Sequence, residues 1–205
     1  MLFRKIILPS GKYNSQYMHY IKWSFLSNIC VSAETAISID NMLFAVNSNS
    51  DAVRTINYIG KDIIGQVGGL LYLTKFGSDA DKDPKDFLLK SNILQQTSIL
   101  TMAITPLIPN YFLPIAGLSN ILSNLSFTGF GAINAKCIGK IAEDNNVGEI
   151  YSKISVINMS ASSIGLLIGL LINIYFPDSN QRLAFLPILG LLRIYTMKKA
   201  IKNLV

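Results

Sequence analysis

A single stretch of 45 residues, from Ser91 to Ala135, contains no charged side chain. An α-helix needs about 20 apolar residues to cross the hydrocarbon core of a bilayer, so this stretch is long enough for two crossings. Prolines at positions 106, 109 and 114 interrupt it near its middle, and proline disfavours helix at its own position and at the residue before it. The stretch therefore predicts two membrane-spanning helices that turn between Pro106 and Pro114.

Four further segments have the length of a membrane-spanning helix. They are Trp23 to Val46, Ile56 to Phe76, Ile154 to Pro177, and the weaker Leu183 to Met197, which contains Pro187 and Arg193. The composition suits a lipid-solvated chain, because half of the 205 residues are hydrophobic, 15% are charged and the mean hydropathy is +0.39. We therefore expect an all-α fold, a polytopic integral membrane bundle of about six transmembrane helices, with the lipid bilayer as its main partner.

The positive charges alternate between the two ends of these helices. Fifteen Lys and Arg residues fall in the N-terminal segment, in the connections after the second and fourth helices, and at the C-terminal end. The opposite connections contain two, Arg54 and Arg182, and Lys61 lies inside a span. Because Lys and Arg accumulate on the cytoplasmic side of membrane proteins, both termini are expected on that side. No nucleic-acid partner is expected, since the charges do not cluster with aromatic residues on one surface.

These boundaries divide the chain into three parts. A basic, aromatic-rich segment covers residues 1–22, a transmembrane domain covers residues 23–197, and a short basic tail covers residues 198–205. The expected localisation is multi-pass and integral to a membrane.

Charged residues inside the predicted spans define a candidate site. Glu34 lies near the middle of the first span, where an ionised carboxylate costs about 2.5–3.5 kcal/mol on insertion scales. It shares one helical face with three serines and an asparagine. If the first two helices form a hairpin, Lys61 lies within about one turn of both Glu34 and Asp40, and is then expected to pair with either acid. Asp62 is expected to point elsewhere, since adjacent residues do not share a helix face.

Gln95 and Asn120 extend this candidate site to the third and fourth helices. Three interpretations stay open: a structural ion pair that locks two helices, an ion- or proton-linked pathway, or a charged group that extends to the membrane interface. Convergence of these side chains on an accessible cavity would favour transport, and burial in tight packing would favour a structural role.

Small residues form a second pattern. Gly65 and Gly69 have the G-x-x-x-G spacing with Gly68 beside them, and Gly165 and Gly169 repeat the spacing in the fifth predicted helix. In lipid there is no hydrophobic attraction between helices, so faces that allow close backbone approach favour association. The pattern predicts helix packing within the chain, with a homodimer face as the alternative.

No motif for catalysis or cofactor binding is found. The chain has one histidine, His19, and its two cysteines, Cys30 and Cys137, lie far apart, so no zinc-binding set is expected. There is no P-loop, dinucleotide fingerprint, G-x-S-x-G elbow or H-E-x-x-H motif. The expectation is that the protein is not an enzyme and uses neither metal nor cofactor.

Several short motifs follow one another along the chain in a specific order. They are Asn57-Tyr-Ile-Gly-Lys-Asp62 with Gly65-x-x-Gly68 after it, Asp79-x-Asp81, Pro109-x-Tyr-Phe-Leu-Pro114, Leu118-x-Asn120, Asn145-Asn146 and Ser152-Lys153. In this order and spacing the chain resembles the root UVB sensitive (RUS) family, from about Leu8 to the end of the fifth predicted helix. Two positions depart from the family pattern: Gly69 stands where the family tends to have Arg, and Ile154-Ser155 replaces Asp-Gly.

The resemblance implies an integral membrane protein of eukaryotes, associated in plants with UV-B responses, vitamin B6 homeostasis and auxin transport. We therefore expect a role in small-molecule transport or homeostasis, with vitamin B6 implied by the resemblance alone. A non-transporting membrane adaptor or scaffold is the alternative, in which the polar groups only hold helices together.

Overall fold

The computed structural model describes residues 7–46, 51–143 and 145–204, with the backbone alone for residue 51 and residues 71–80. Within these ranges the chain is all-α, with six long helices and one short helix. In chain order they are α1 (Tyr17–Val46), α2 (Asp51–Lys82), α3 (Pro84–Ala103), α4 (Phe112–Ile141), α5 (Val147–Tyr175), the five-residue α6 (Ser179–Leu183) and α7 (Phe185–Ile201).

The proline-rich turn predicted inside the uncharged stretch is confirmed. Helix α3 ends at Ala103, two 3-10 turns cover Thr105–Leu107 and Pro109–Tyr111, and α4 begins at Phe112. Pro114 lies in the first turn of α4, where its missing N–H would have had no partner within the helix. Proline chemistry therefore separates α3 from α4.

Helix α3 begins earlier than its apolar pattern predicts, at Pro84 rather than near Ser91. The carboxylate of Asp83 accepts hydrogen bonds from the backbone N–H groups of Lys85 and Asp86, at 3.1 Å each. This N-cap satisfies donors that a helix start leaves free, and proline at the first helical position suits the same geometry.

Two of the described helices, α1 and α5, are long and apolar enough to cross a membrane. They qualify by length and composition, which the core helix of a soluble protein can also satisfy. The expectation of six spans thus corresponds to six long helices, of which two meet this criterion in the described part of the chain.

Two groups of helices make up the bundle. Helix α1 packs against α5 and α7, while α4 packs against α2 and α3. The two groups meet where α1 contacts α3, and where a cluster that includes Tyr17, Phe87, Cys137, Ile154 and Ala200 joins α1, α3, α4, α5 and α7. The start of α1 lies beside the end of α7, because the His19 ring is 2.8 Å from the Lys199 carbonyl oxygen and Asn203 bonds to Gln16.

Four of the five glycines singled out from the sequence lie at close contacts between helices. A Cβ atom at Gly65 would lie 2.5 Å from the Cβ of Asn120 on α4, and one at Gly68 would lie 2.5 Å from Ile121. Gly69 leaves more room, with 3.4 Å to the nearest atom of α4.

Helix α5 approaches α1 even more closely. A Cβ atom at Gly165 would collide with the carbonyl oxygen of Ile29, and one at Gly169 would lie 2.6 Å from the Cβ of Ala36. These glycines therefore serve contacts between helices of one chain, as the packing interpretation expects.

Candidate functional site

The polar face of α1 is buried along its whole length. Glu34 is fully buried, and the neighbours that share its face are Ser24, Ser27, Ser38 and Asn41, all of them buried as well. Ser38 donates to the carbonyl of Ile99 at 3.1 Å and Asn41 to that of Ala103 at 3.3 Å, so this face turns toward α3.

Glu34 pairs with Arg193 of α7. The Arg193 Nε atom lies 3.3 Å from Glu34 Oε2, and both side chains are almost completely buried, at 1% and 0% exposure. The Arg193 Nη2 atom donates to the carbonyl of Asn92 at 3.1 Å and to Oε1 of Gln96 at 3.0 Å. Within the described ranges, neither carboxylate oxygen of Glu34 has a hydrogen bond of good geometry, and neither does Arg193 Nη1. The pair is therefore compensated in charge but incompletely hydrogen-bonded.

Asp40 pairs with Arg182, which lies in the short α6. The Arg182 Nη1 atom contacts Asp40 Oδ2, and Nη2 donates to the carbonyl of Pro177 at 3.3 Å. Arg182 is buried while the Asp40 side chain is about half exposed, so this pair joins α1 to the connection after α5 near the surface.

Lys61 pairs with its sequence neighbour, and the prediction that it pairs with Glu34 or Asp40 is wrong. Its Nζ lies 2.7 Å from Asp62 Oδ1 and 4.3 Å from the centre of the Tyr58 ring. Asn120 of α4 donates to the same Asp62 oxygen at 2.6 Å and to the Lys61 carbonyl at 3.3 Å.

Two physical reasons explain this correction. First, α2 packs chiefly against α4 rather than forming a hairpin with α1, because its glycine face fits α4 closely. Second, the four-carbon side chain of Lys61 reaches around the helix, so Asp62 is within range although its Cβ points in a different direction. The expectation that Asp62 is not a partner of Lys61 is therefore also wrong.

Three of the predicted site residues line one cavity of about 180 Å³, which we call the lysine cavity. They are Lys61, Gln95 and Asn120, and Tyr58, Ser38 and Ser98 complete its main polar wall. The cavity lies between α1, α2, α3 and α4.

A second cavity of about 400 Å³, the arginine cavity, lies between α1, α3, α4, α5 and α7. Its polar lining residues include Arg193, Gln95, Ser27, Asn28, Asn134 and Asn158. Gln95 lines both cavities. Along α1, the arginine cavity is lined by residues before position 34 and the lysine cavity by residues after it. Along α1, Glu34 thus lies between the two cavities, and its partner Arg193 lines the arginine cavity.

The sequence missed Arg193 and Gln96 as members of the site. Arg193 was counted with the basic C-terminal end, although it falls inside the sixth predicted helix, and its location within a span was the signal that could have identified it. Gln96 lies next to Gln95, and nothing in the sequence indicates which of the two contacts the ion pair. In the described part of the chain no three His, Cys, Asp or Glu side chains lie together as metal ligands would.

Fold and site together define an all-helical protein in which polar cavities and buried ion pairs lie among helices with largely apolar outer faces. A family model described as "Vitamin B6 photo-protection and homoeostasis domain" matches residues 1–205. The chain therefore belongs to this family, whose curated members include the RUS proteins.

Curated relatives agree with this assignment. The chain is similar to Protein root UVB sensitive 4 of Arabidopsis thaliana, with 26% identity over 85% of this chain and 34% of the relative. It is similar to Protein root UVB sensitive 5 of the same plant, with 29% identity over 82% of this chain and 36% of the relative. RUS family member 1 of Dictyostelium discoideum is 20% identical over 86% of this chain and 35% of the relative.

The chain spans about a third of the length of these relatives. No solved structure matches it significantly.

Proposed function

We propose that the protein is a multi-pass integral membrane protein with both termini on the cytoplasmic side. Large apolar side chains on α5 face outward, among them Met159, Leu167, Leu170 and Ile174. In the most apolar window of α5 only 28% of residues are buried, whereas a core helix of a soluble protein would be mostly buried. Lipid is the solvent that suits such a face, and the Lys and Arg distribution supports the orientation.

The six-span arrangement is tested by single cysteines that are labelled from one side of sealed vesicles. A cysteine at Asp83, between α2 and α3, is expected to react from the side of the termini, and one at Asn110, between α3 and α4, from the opposite side. Labelling of both positions from the same side would contradict six spans.

We further propose that this membrane protein moves or holds a small molecule, and that it acts in vitamin B6 homeostasis as the family description suggests. The proposal rests on the two polar cavities, one lined by α1 residues before Glu34 and by Arg193, the other by α1 residues after Glu34. Polar and charged groups in a membrane are costly, and where they line a cavity they commonly mark a substrate pathway. In this proposal the protein has no catalytic role, binds no metal or cofactor, and has no nucleic-acid partner.

The experiment is uptake of radiolabelled pyridoxine, pyridoxal and pyridoxamine, and of their phosphates, into vesicles reconstituted with the protein. Gly131→Met is the blocking variant, because Gly131 lines the arginine cavity and a Cβ atom there meets nothing within 4 Å. Gly139→Met is its matched control on the same helix, equally open but outside both cavities. Uptake that Gly131→Met abolishes and Gly139→Met preserves would support transport; uptake equal to that of empty vesicles for every vitamer would contradict it.

A membrane scaffold is the second candidate, and the contacts between α3 and α4 favour it. Ser98 and Ser119 donate to each other's carbonyl oxygens at 2.8 Å, and Ser126 donates to the carbonyl of Ser91 at 2.8 Å. These hydroxyl groups form hydrogen bonds between α3 and α4, as a scaffold would require. A scaffold would show no uptake and would tolerate Gly131→Met. A second copy of the chain, or a related family member, stays a proposed partner in either case.

A further inference from the structure

We propose that the arginine cavity is a binding site for the phosphate or carboxylate group of a small molecule, and that Arg193 holds this group. The inference rests on the proposed function, which it deepens by naming the chemical class of the ligand. It is carried by three features of the cavity: the identity of its charged residue, the hydrogen-bond state of that residue, and the size and chemistry of its walls.

The first feature is an unbalanced charge at the cavity wall. Among the described residues that line the arginine cavity, Arg193 is the one that carries a charge, and its acidic partner, Glu34, is not one of them. Arg193 therefore contributes a positive charge to the cavity wall, whereas Glu34 lies outside that wall. This placement of the two charges favours a negatively charged group over a positively charged one in the cavity.

The second feature is an unused donor. Arg193 has 1% of its side chain exposed, yet its Nη1 atom has no hydrogen-bond partner among the residues that the structure describes, while Nη2 donates to Asn92 and Gln96. A buried guanidinium N–H without a partner is rare in a folded protein, and an oxygen of phosphate or carboxylate is the acceptor that guanidinium binds most strongly.

The third feature is the wall. The cavity volume of about 400 Å³ lies within the range of roughly 300–1,000 Å³ that is usual for small-molecule sites, whereas the lysine cavity at about 180 Å³ falls below it. The rings of Phe130 and Tyr151 supply flat apolar surface, and the amides of Asn134 and Asn158 supply donors and acceptors. These walls suit a small ring compound that carries one anionic group.

The test is equilibrium dialysis of the full chain in detergent with two probes that differ only in the anionic group, pyridoxine 5′-phosphate and pyridoxine. Neither probe has an aldehyde, so neither forms an imine with lysine. We expect wild type to bind the phosphate form at least about tenfold more tightly. Equal affinity for both probes, or saturable binding of neither, would overturn the assignment.

The role of Arg193 is tested with double variants that leave the net charge of the protein unchanged. Glu34→Gln with Arg193→Gln removes the pair without leaving a lone buried charge, and is expected to abolish the preference for phosphate. Asp40→Asn with Arg182→Gln is the matched control, because it removes another interhelical pair that lines neither cavity. Loss of the preference in both double variants, or in neither, would refute the role of Arg193. If the first double variant does not fold, Gly131→Met fills the cavity instead, and Gly139→Met is its control. Unchanged binding of pyridoxine 5′-phosphate in Gly131→Met would overturn the site.

Competition distinguishes two sources of the anion. Displacement of pyridoxine 5′-phosphate by inorganic phosphate would assign the site to a soluble anion, and displacement by dihexanoyl phosphatidic acid alone would assign it to a lipid headgroup. Both results support an anion site. Binding without uptake would refute transport and leave this inference standing, whereas pyridoxine uptake without a phosphate preference would refute this inference alone.

Discussion

The bundle has two groups of helices, α1 with α5 and α7, and α4 with α2 and α3. Each group contains a basic residue that lines a cavity and pairs with an acid, but the two ion pairs differ in burial and in the helices that they join. Arg193 reaches across to another helix and both partners are buried. Lys61 pairs within its own helix, and 47% of the Asp62 side chain is exposed. The first pair links two helices and is buried at both ends, whereas in the second pair the Asp62 carboxylate is partly exposed. Burial, rather than the presence of a charge pair, therefore sets how much each contributes to folding.

The largest expected effect follows from removal of Arg193. Arg193→Gln leaves the Glu34 carboxylate buried without its cation, and breaking a buried pair in this way typically costs about 3–5 kcal/mol in the free energy of unfolding. Denaturant unfolding in detergent would measure the loss. Glu34→Gln added to Arg193→Gln is expected to restore most of the lost stability. A double variant as unstable as the single one would show that Arg193 stabilises the protein through contacts other than the ion pair.

Helix packing gives the next effect and again compares the two groups. Gly165→Leu on α5 is expected to destabilise the protein by about 1–3 kcal/mol, because its side chain would collide with a backbone carbonyl of α1. Gly68→Leu on α2 is expected to cost less, because it meets side-chain atoms of Ile121, Cδ1 and Cγ1, rather than backbone. Gly139→Leu serves as the open control, and melting temperatures that fall equally in all three variants would contradict this order.

Lys61 is expected to contribute much less to the free energy of unfolding than its location in a predicted span suggests. Lys61→Met keeps the apolar stem near Tyr58 and loses an ion pair whose acid is partly exposed and still bonded to Asn120. The expected loss is about 1 kcal/mol or less in the same unfolding assay. A loss as large as that of Arg193→Gln would mean that Asp62 is shielded from solvent in the membrane.

The smallest effect concerns the end of the bundle. Glu149, in the first turn of α5, accepts hydrogen bonds from the backbone N–H of Ser10 at 2.7 Å and from its hydroxyl at 2.9 Å, and these bonds lower the pKa of the Glu149 carboxyl. Because the pKa is lower in the folded protein, the contact stabilises the protein fully above the ordinary pKa of glutamate and is lost as the pH falls through the folded value.

Hydrogen exchange at the Ser10 amide measures this effect. Protection is expected at pH 7 and should decrease in acid, after correction for the intrinsic exchange rate. Glu149→Gln, which does not titrate, should remove the pH dependence of protection. If the variant shows the same pH dependence as wild type, the Glu149 carboxyl is not its source.

The sequence predicted the local structure well where the chemistry is local. Pro106 and Pro109 end the third helix wherever it packs, since proline lacks the N–H and restricts the residue before it. The helical face shared by Ser27, Glu34 and Ser38 follows from helix periodicity and is buried as expected. The glycine spacing also indicated close contacts, and Gly65 and Gly165 do lie against other helices.

The pairing of charges was not predictable in the same way. A hairpin of α1 and α2 would bring Lys61 to Glu34, but α2 packs on α4, and Lys61 pairs with Asp62. Arg193 lies 159 positions along the chain from Glu34, and only the packing of α7 against α1 brings them together.

The sequence by itself determined that the chain is helical, where its helices turn and which polar groups must be buried. These properties depend on hydrogen bonds and side chains within a few residues of one another. The tertiary structure decided which helices are neighbours, which cation meets which acid, and that Gln95 lines two cavities. Neighbouring helices are selected by the sum of many weak contacts along whole interfaces, and a side chain reaches only the helices next to its own, so no single residue carries that information.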